Sequence, residues 1–471
     1  MDAKHSGPWL YWLAGLLMTV LAFGARAETY AVDWPAELAR AESQPERFAV
    51  ARAVHIDARG DGHWSRDGLQ AVWRIELQVP GARSLSFHAS SLQLPADASL
   101  SYGGRRISAA DLDGADYWSS AESGEQLNLE LRLPLTATAA FELRIDQLQA
   151  GFRDPQAAPV AAKSADTCTI NFSCSARNDA LLWGQSVVAI TVLNAISCTA
   201  TLVNNSNQDG RPYLLTASHC RKLNGVLADA QQAAASMRVY WNAVTACDSA
   251  LAEVGSAAQQ ISSGAEHRAE ASDVWLVELK APPPTGANPY WAGIDASDQP
   301  ASGELTGIHH GGRLARQIAW SRGGLQSMLV SVPLLGALPI WEVFAELGAA
   351  ASGSSGSALF ASGGRVVGVL SLSSSCESDP MPSLYYSRLG PAWNGNGSSA
   401  GSLRPWLDPA NLGNQIPPKA ASGASSSGSG GSTISYSAPA DAGGGGGGLG
   451  LAALLPLLLG AWRRLAMNKA V

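Results

Sequence analysis

Charged residues are scarce in this sequence, and those present give no basic excess. Lys, Arg, Asp and Glu together make up 15% of the 471 residues, and the formal net charge is −7. Domains that bind nucleic acid usually show a basic patch or stripe of Lys and Arg. This chain lacks such a footprint, so no nucleic-acid partner is expected. Its length is sufficient for two or three domains, each with its own core.

The N-terminus carries a processing signal rather than domain sequence. Lys4 is followed by the apolar run WLYWLAGLLMTVLAF and then by GARA, which places Ala25 and Ala27 at small-residue cleavage positions. This pattern predicts a secretory signal peptide over residues 1–27, removed by signal peptidase after Ala27. A retained membrane anchor is the alternative.

The C-terminal apolar stretch is too short for a durable membrane span. It covers residues 449–462, after a glycine run at 443–448, and is followed by Arg463 and Arg464. A spanning helix needs about 17–25 residues, whereas small residues before a short stretch and basic residues after it suit a tail that is later removed. The segment resembles the GlyGly-CTERM sorting signal of exported Gram-negative proteins, in which an intramembrane protease trims the tail.

That resemblance implies a sorting tail over residues 443–471 and transient membrane anchoring. It also implies a secreted or cell-surface protein, exported across the inner membrane of a Gram-negative-type bacterium. A permanent weak anchor is the alternative.

Cysteine is absent before residue 168 and after residue 376. An even number of cysteines in an exported chain predicts disulfides, here three, because that compartment is oxidising. Their confinement indicates one stapled domain in the middle of the chain. The six are Cys168, Cys174, Cys198, Cys220, Cys247 and Cys376.

Long helical periodicity is also absent, and strand patterns take its place. In residues 28–163 the segments VWRIELQV, LNLELRL and FELRI alternate apolar and polar side chains, which predicts a β-sandwich-like domain. The Ala/Pro-rich connector FRDPQAAPVAAKSAD then suits a proteolytic hinge. Residues 164–415 contain the runs SVVAITVL, MRVYW, DVWLVEL and RVVGVLSL, which favour an all-β barrel architecture. Residues 416–442 are rich in Ser, Gly and Ala and predict a flexible linker.

The segment GSSGSALF contains a candidate nucleophile, Ser355. A strand-like run follows it, so Gly353, Ser355 and Gly356 occupy a tight turn, where glycines let backbone N–H groups converge beside a reacting carbonyl. The segment YLLTASHC supplies a candidate base, His219, at the end of an apolar strand. The segment EASDVWLVEL supplies Asp273 just ahead of another strand. The order His, Asp, Ser is one of several that build the same hydrolytic triad.

Each of these three residues also has an ordinary structural explanation. A histidine after a strand is commonly a surface or core residue, and an aspartate before a strand is commonly a turn former. The pattern Gly-x-Ser-Gly is weak in a chain with 49 glycines. The three residues together, in this order, are harder to explain as structural residues.

Seven motifs together resemble the secreted bacterial lysyl endopeptidases, a branch of the chymotrypsin-like (trypsin-fold) serine proteases. They are SCTATLVNNSNQDGRPYLLTASHC, VYWN, SDVWLVEL, WAGID, IHH, GSSGS and WLDPA, and they follow the family's order over residues 168–412. The resemblance implies a trypsin-like double β-barrel protease domain over residues 164–415, preceded by a pro-domain over 28–163. It implies protein or peptide substrates and neither a metal nor an organic cofactor.

The resemblance also assigns roles in the active site. Ser355 would attack the scissile carbonyl, His219 would transfer the proton and Asp273 would orient the imidazole, while the N–H groups of Gly353 and Ser355 would form the oxyanion hole. Ser354 stands where trypsin-like enzymes carry the aspartate that pairs with a newly freed N-terminus. Activation by pro-region removal is therefore expected without that ion pair. The implied disulfides are Cys168–Cys376, Cys174–Cys247 and Cys198–Cys220.

The substrate pocket departs from the family's pattern. Lysine specificity there depends on an aspartate shortly after the last cysteine, but the sequence CESDPMPSLYYSRL places Leu384 at that position. Asp379 lies nearby and fits a turn before Pro380 better, and Leu372 replaces a glycine in the neighbouring strand. A lysine ammonium would then lack a buried partner, so a small or apolar P1 residue (the residue before the cleaved bond) is an alternative. Lys163, at the expected pro-region junction, favours lysine if the protein cuts itself.

Two functions compete with a serine endopeptidase. One is a catalytically silent homologue that binds proteins or is displayed at the surface, and the other is an esterase with the same triad. The pair His309 and His310 lacks further ligands at metal-binding spacing, and we assign it a structural role.

Overall fold

The computed structural model describes residues 27–153 and 168–420, except for positions 45, 177, 248, 300, 302, 375, 377, 378 and 380. Three predicted features therefore lie outside the described residues: the signal peptide up to residue 26, most of the connector with Lys163, and the glycine-rich tail. Within the described ranges, no helix is long and apolar enough to cross a membrane.

Residues 27–153 form two β-sheets around one hydrophobic core. The strands are β1 Ala27–Thr29, β2 Ala49–Asp57, β3 His63–Asp67, β4 Gln70–Gln78, β5 Ser84–Gln93, β6 Ser99–Tyr102, β7 Arg105–Ile107, β8 Tyr117–Trp118, β9 Glu122–Ser123, β10 Gln126–Pro134 and β11 Glu142–Gly151. One sheet has the order β1-β4-β10-β6-β7, with β3 paired to β4. The other has the order β2-β11-β5-β8, with β9 paired to β5.

The strand pattern explains this sandwich. In β4, Trp73, Ile75 and Leu77 are fully buried, and they pack with Leu85 and Phe87 of the other sheet. Apolar side chains on one face of each sheet require a partner layer, and the two sheets supply it to each other. The predicted β-sandwich-like domain is therefore confirmed.

A ten-residue helix, α1 Trp34–Ser43, precedes β2 and was not predicted. Its N-terminus is capped by Asp33, whose side chain accepts a hydrogen bond from the N–H of Ala36 at 3.2 Å, and a proline stands in its first turn. Both features are ordinary helix-start signals. The chain leaves this helix through Gln44 and reaches β2 by a short segment, 46–48.

Residues 168–420 contain the second set of strands. They are β12 Val187–Val192, β13 Ile196–Val203, β14 Tyr213–Ala217, β15 Lys222–Leu223, β16 Val226–Leu227, β17 Arg238–Trp241, β18 Gln260–Ser263, β19 Ala265–Ala271, β20 Val274–Leu279, β21 Tyr290–Trp291, β22 Gly293–Asp295, β23 Leu305–His309, β24 Gln317–Ser321, β25 Gln326–Val332, β26 Gly336–Phe344, β27 Ala358–Ala361, β28 Arg365–Ser373, β29 Ser383–Arg388, β30 Gln415–Ile416 and β31 Lys419–Ala420.

Helices in this region are short. The α-helices are α2 Phe172–Ser175, α3 Asn178–Gly184, α4 Ala230–Ala235, α5 Val254–Ala257, α6 Leu389–Trp393 and α7 Arg404–Leu407. The 3₁₀ turns of the whole described chain are Ala109–Asp111, Leu135–Ala137, Ser218–Arg221, Thr285–Ala287, Gly311–Arg313, Gly395–Gly397 and Ser399–Gly401.

Two large sheets dominate the second region. The first has seven strands in the order β18-β17-β12-β13-β14-β20-β19, and the second has nine, built on the order β24-β23-β27-β28-β29-β26-β25 with β22 and β30 at its side. One buried cluster joins them, with Ile190 and Leu215 from the first sheet and Phe360 and Val369 from the second. The predicted all-β, trypsin-like fold class is confirmed.

Two short strands lie at and beyond the predicted end of the protease domain. Ile416 is fully buried, and its strand β30 pairs with β22. The strand β31 then pairs with β21. Residues 416–420 are thus part of the fold, because an apolar side chain at 416 fills the core before the Ser/Gly/Ala stretch begins.

Three disulfides link the loops of the second region, in the pairing that the resemblance implies. They are Cys168–Cys376, Cys174–Cys247 and Cys198–Cys220, with Cα separations of 5.7, 4.6 and 6.2 Å. The last of these ties β13 to the turn after β14, which is the turn that carries His219.

Candidate active site

His219 lies in the 3₁₀ turn Ser218–Arg221, at the end of β14. The neighbouring Cys220 is fully buried and bonded to Cys198 of β13, so the backbone on the C-terminal side of the histidine is fixed. The imidazole itself is mostly buried. A general base needs this kind of fixed position, because proton transfer depends on hydrogen-bond geometry.

Asp273 occupies the two-residue turn between β19 and β20. Ser272 and Asp273 both have positive φ, 51° and 61°, as a tight type I′ hairpin turn requires. Aspartate tolerates this left-handed region better than most residues. The hydroxyl of Ser272 donates to Asn396 Oδ1 at 2.9 Å, which supports the turn. The carboxylate of Asp273 is therefore held at the strand end.

The structure brings His219 and Asp273 together through two hydrogen bonds. Asp273 Oδ2 lies 2.8 Å from Nδ1 of the imidazole, and Oδ1 accepts the backbone N–H of His219 at 2.9 Å. Both carboxylate oxygens are thus used to orient one residue. With Nδ1 protonated towards the aspartate, Nε2 is the nitrogen left to accept a proton, as in hydrolytic triads.

The charge of Asp273 also sets the titration of the histidine. Burial alone would lower the pKa of His219, but the carboxylate of Asp273, with a further contribution from Glu46, raises it above the usual value of 6.5. An imidazole whose protonated form is stabilised by a neighbouring carboxylate can hold the proton taken from a nucleophile.

Ser355 lies in the turn between β26 and β27, between two glycines with positive φ. A Cβ at Gly356 would lie 2.2 Å from Thr216 Oγ1 and 2.3 Å from the carbonyl oxygen of Thr199. At Gly353, where φ is +92°, it would lie 3.0 Å from the carbonyl oxygen of His310. Only glycine fits the tight approach of this loop to β13 and β14.

Thr199 fixes the loop in place from the first sheet. Its backbone N–H donates to the carbonyl of Ser355 at 2.8 Å, and its hydroxyl donates to the carbonyl of Gly353 at 2.8 Å. The same hydroxyl accepts the N–H of His310 at 3.0 Å. Sequence reasoning missed this residue, and its only signal was its place directly after Cys198 in the SCTATL motif.

The backbone donors expected in the oxyanion hole are available. Among the described residues, neither the N–H of Gly353 nor that of Ser355 donates an intramolecular hydrogen bond. Their carbonyls point to Thr199 instead. Two unused N–H groups on one glycine-bearing turn match what a developing oxyanion requires.

Ser354 and His309 form a buried pair beneath this loop. Both are almost fully buried, and Ser354 Oγ lies 2.9 Å from His309 Nδ1 while accepting the N–H of Ala351 at 3.0 Å. Burial lowers the pKa of His309 to about 4, so the imidazole is neutral near pH 7. Hydrogen bonds between neutral groups therefore hold the loop at Ser354, the position where the resemblance led us to expect no ion pair.

His310 has a structural environment as well. Burial, with a smaller effect of Arg316, lowers its pKa to about 3, and its Nδ1 donates to the carbonyl of Leu314 at 3.1 Å. Within the described residues, no group of three or more His, Cys, Asp and Glu side chains suits a metal ion.

The hydroxyl of Ser355 has no hydrogen-bond partner among the described residues. The backbone carbonyl oxygen of Ser355 lies 3.9 Å from the Sγ atom of Cys220, the residue that follows His219. Hydrogen bonds between a catalytic serine and its base are often long before a substrate binds.

The residues named for the substrate pocket lie on different sides of β29. Leu384 is 2% exposed and packs with Ala350, Leu370 and Tyr386 in one apolar cluster. Leu372 instead packs against a second cluster, around Tyr385.

Asp379 lies outside both clusters. Its side chain accepts the N–H of Met381 at 3.0 Å in an exposed turn. The turn interpretation of Asp379 is therefore the one that the structure supports.

One family of known proteins matches this region of the chain. Residues 162–387 match the family model described as the C-terminal domain of lysyl endopeptidase. A solved serine-to-alanine mutant of Rv3671c from M. tuberculosis H37Rv, in an inactive form, is 14% identical, covers 51% of this chain and 96% of that chain, and gives a TM-score of 0.31.

Two further solved structures are similarly distant. The active form of the Rv3671c protease from M. tuberculosis is 14% identical over 52% of this chain and 89% of that chain, with a TM-score of 0.30. The MamO protease domain from Magnetospirillum magneticum is 12% identical over 44% of this chain and 93% of that chain, also with a TM-score of 0.30. The family match is the informative comparison, because its range includes His219, Asp273 and Ser355: this part of the chain is similar to the C-terminal domain of lysyl endopeptidase.

Proposed function

We propose that this protein is a serine endopeptidase that uses His219, Asp273 and Ser355. The observation that carries the proposal is the buried Asp273–His219 pair, with both carboxylate oxygens bound to the histidine. The glycine-flanked Ser355 has its carbonyl oxygen 3.9 Å from Cys220 Sγ, beside that histidine. The family match over residues 162–387 supports the same class of reaction.

The reaction would follow from these positions. Ser355 Oγ attacks the scissile carbonyl as His219 Nε2 accepts its proton, and the imidazolium is stabilised by Asp273. The oxyanion is bound by the N–H groups of Gly353 and Ser355, and His219 then donates the proton to the leaving amine. Water repeats the sequence to release the acyl group and restore the serine.

We propose further that the P1 residue is small or apolar rather than lysine. Leu384 is buried among Ala350, Leu370 and Tyr386, and none of these carries a negative charge. The nearby carboxylate Glu342 pairs with Tyr385 across β26 and β29, and so lies on the other face of the sheet from Leu384. A lysine ammonium placed beside Leu384 would be buried without a partner.

A fluorophosphonate probe tests the reaction. The mature protein should be labelled at Ser355, and Ser355→Ala should abolish the labelling while leaving the fold intact. Ser357→Ala is the matched control, because Ser357 lies in the same loop and is fully buried, and its hydroxyl has no hydrogen-bond partner within the described residues. Labelling that persists in Ser355→Ala, or is absent from the mature protein, would exclude the triad.

Two assays separate the competing functions. Hydrolysis of a peptide library at internal bonds supports an endopeptidase, whereas turnover of simple esters alone indicates an esterase and no turnover indicates a silent homologue. The same library gives the P1 residue, and a strong preference for lysine would contradict the apolar pocket.

We also propose that the protein is exported and made as a zymogen. The three disulfides fit an oxidising compartment, since such bonds are rare in the cytosol. Fractionation of expressing cells, with N-terminal sequencing of the mature form, tests this. A mature protein recovered from the cytoplasm with residues 28–163 attached would contradict both statements.

A further inference from the structure

The segment between α1 and β2 pairs with the protease-like domain, while the carbonyl of Phe48 also accepts the N–H of Phe152 at 3.0 Å, next to the pairing of β2 with β11. The carbonyl of Glu46 accepts the N–H of Ser197 at 2.9 Å, and the N–H of Phe48 donates to the carbonyl of Ala195 at 2.8 Å. Arg47 and Ile196 form an isolated antiparallel bridge between these two bonds. Residues 46–48, which we call the strap, therefore add a short strand at the start of β13.

The strap is firmly buried for a segment without regular structure of its own. Arg47 is 1% exposed and Phe48 is 4% exposed. The guanidinium of Arg47 binds the carboxylate of Glu37 in α1 and lies 3.4 Å from Asn224 Oδ1. The Phe48 ring lies 4.0 Å from the guanidinium carbon of Arg313. Both side chains are thus held by partners across the contact.

The positions of those partners show where the strap lies. Asn224 belongs to the hairpin between β15 and β16, directly after the turn that carries His219. Arg313 follows Gly312, whose N–H donates to the carbonyl of Ser352 in the loop of Ser355. The strap therefore contacts the segment that follows His219 and, through Arg313, the segment that is bonded to the loop of Ser355.

The strap also contributes to the electrostatics of His219. After Asp273, Glu46 is a carboxylate that raises the pKa of this histidine. Its hydrogen-bond partner Ser197 precedes Cys198, and the disulfide from Cys198 leads to Cys220 beside that histidine.

The strap does not behave like a bound substrate. Among the described hydrogen bonds, its backbone groups bind Ala195, Ser197 and Phe152, together with the internal bond from Arg47 N–H to Gln44, and not Gly353 or Ser355. No carbonyl of residues 46–48 therefore meets the oxyanion donors. The strap covers the backbone edge at residues 195–197, directly before Cys198, without offering a bond for cleavage.

We propose that the strap is an autoinhibitory segment, which occupies the backbone edge at residues 195–197 in the uncleaved chain and excludes extended substrates from the cleft. This names the regulation of the proposed protease site and rests on that function. Strand addition to an exposed edge is a common way to bind an extended peptide, so a strap that already fills the edge competes with substrate.

The test compares strap variants in the full-length, uncleaved chain. The substrate is an internally quenched peptide that extends on both sides of its cleaved bond, and intact mass is checked before and after each assay. Phe48→Ala removes the contact with Arg313, and Arg47→Met keeps the apolar stem but removes the guanidinium. Arg52→Ala is the matched control, because Arg52 is exposed on β2. Fluorophosphonate labelling of Ser355 is measured on the same samples.

Uncleaved wild-type protein should hydrolyse the peptide far more slowly than protein freed of its pro-region. Each strap variant should raise the rate of the uncleaved chain at least about tenfold, which corresponds to about 1.4 kcal/mol, and Arg52→Ala should leave it unchanged. Uncleaved wild type that is as active as the freed protein, or strap variants that stay as inactive as wild type, would overturn the proposal. If the protein freed of its pro-region is not labelled by the fluorophosphonate and does not hydrolyse the peptide, the proposed endopeptidase function is wrong instead.

Discussion

Replacing Ser354 by alanine should slow catalysis without weakening substrate binding. The hydroxyl of Ser354 is bound on one side by the N–H of Ala351 at 3.0 Å and on the other by His309 Nδ1 at 2.9 Å. Neither residue touches the substrate in the proposed reaction. Their effect would be to hold Gly353 and Ser355 so that both N–H groups face the oxyanion.

The size of the effect follows from what the substitution leaves behind. Ser354→Ala leaves the buried His309 Nδ1 without this partner, which costs about 1–3 kcal/mol. If that cost is relieved by a shift of the loop, kcat falls about 10- to 100-fold, since each 1.36 kcal/mol is a factor of ten. The upper limit is the loss of one oxyanion donor, which is worth about 10²–10³.

The assay is steady-state hydrolysis of a peptide substrate by protein freed of its pro-region, with a thermal melt of each variant. Ser357→Ala is again the control. It removes a buried hydroxyl from the same loop, and this hydroxyl has no hydrogen-bond partner among the described residues. A kcat for Ser354→Ala within twofold of wild type would refute the reasoning. So would a change in KM alone, or an equal loss of activity in Ser357→Ala.

Three further outcomes are expected. Asp273→Asn should lower kcat about 10⁴-fold, as the equivalent change does in the chymotrypsin triad, and normal turnover would exclude its orienting role. Leu384→Asp should bring lysine into the P1 profile of a peptide library; an unchanged profile would mean that this side chain does not reach the pocket. Burial alone would lower the pKa of His88, but Asp116 and Asp146 raise it above 6.5. The folded state therefore favours the protonated imidazole, so this stabilisation is complete below about pH 6.5 and is lost as the pH rises through the raised pKa. Urea unfolding at several pH values should show that loss in wild type and not in His88→Asn.

Features set by local pattern could be predicted from the sequence. The alternation around Trp73 and Ile75 gives strand β4, because side chains of a strand point to opposite faces. The motif around His219 and Cys220 predicted, through resemblance to a family, the disulfide beside this histidine, which the structure contains. The apolar character of Leu384 was also visible, since a leucine stood where an acid was expected.

Features set by distant contacts could not be predicted. The strap has no strand pattern of its own, and residues 46–48 become extended only because Ala195 and Ser197 offer a free edge. The role of Thr199 could not be deduced from its place after Cys198, because its partners Gly353 and Ser355 lie more than 150 residues away along the chain. The turn that holds Asp273 is equally hidden, since its left-handed backbone is supported by Asn396 from the C-terminal part.

The place of the strap in the chain has a consequence for when activity would begin. Residues 46–48 lie far upstream of the connector, and they are held by hydrogen bonds and packing rather than by any covalent link to the protease-like domain. Cutting the connector turns an intramolecular inhibitor into a separate one, whose occupancy then depends on its concentration. Protein that has been cut but remains concentrated would stay silent, and dilution after release from the cell would set the moment of activation.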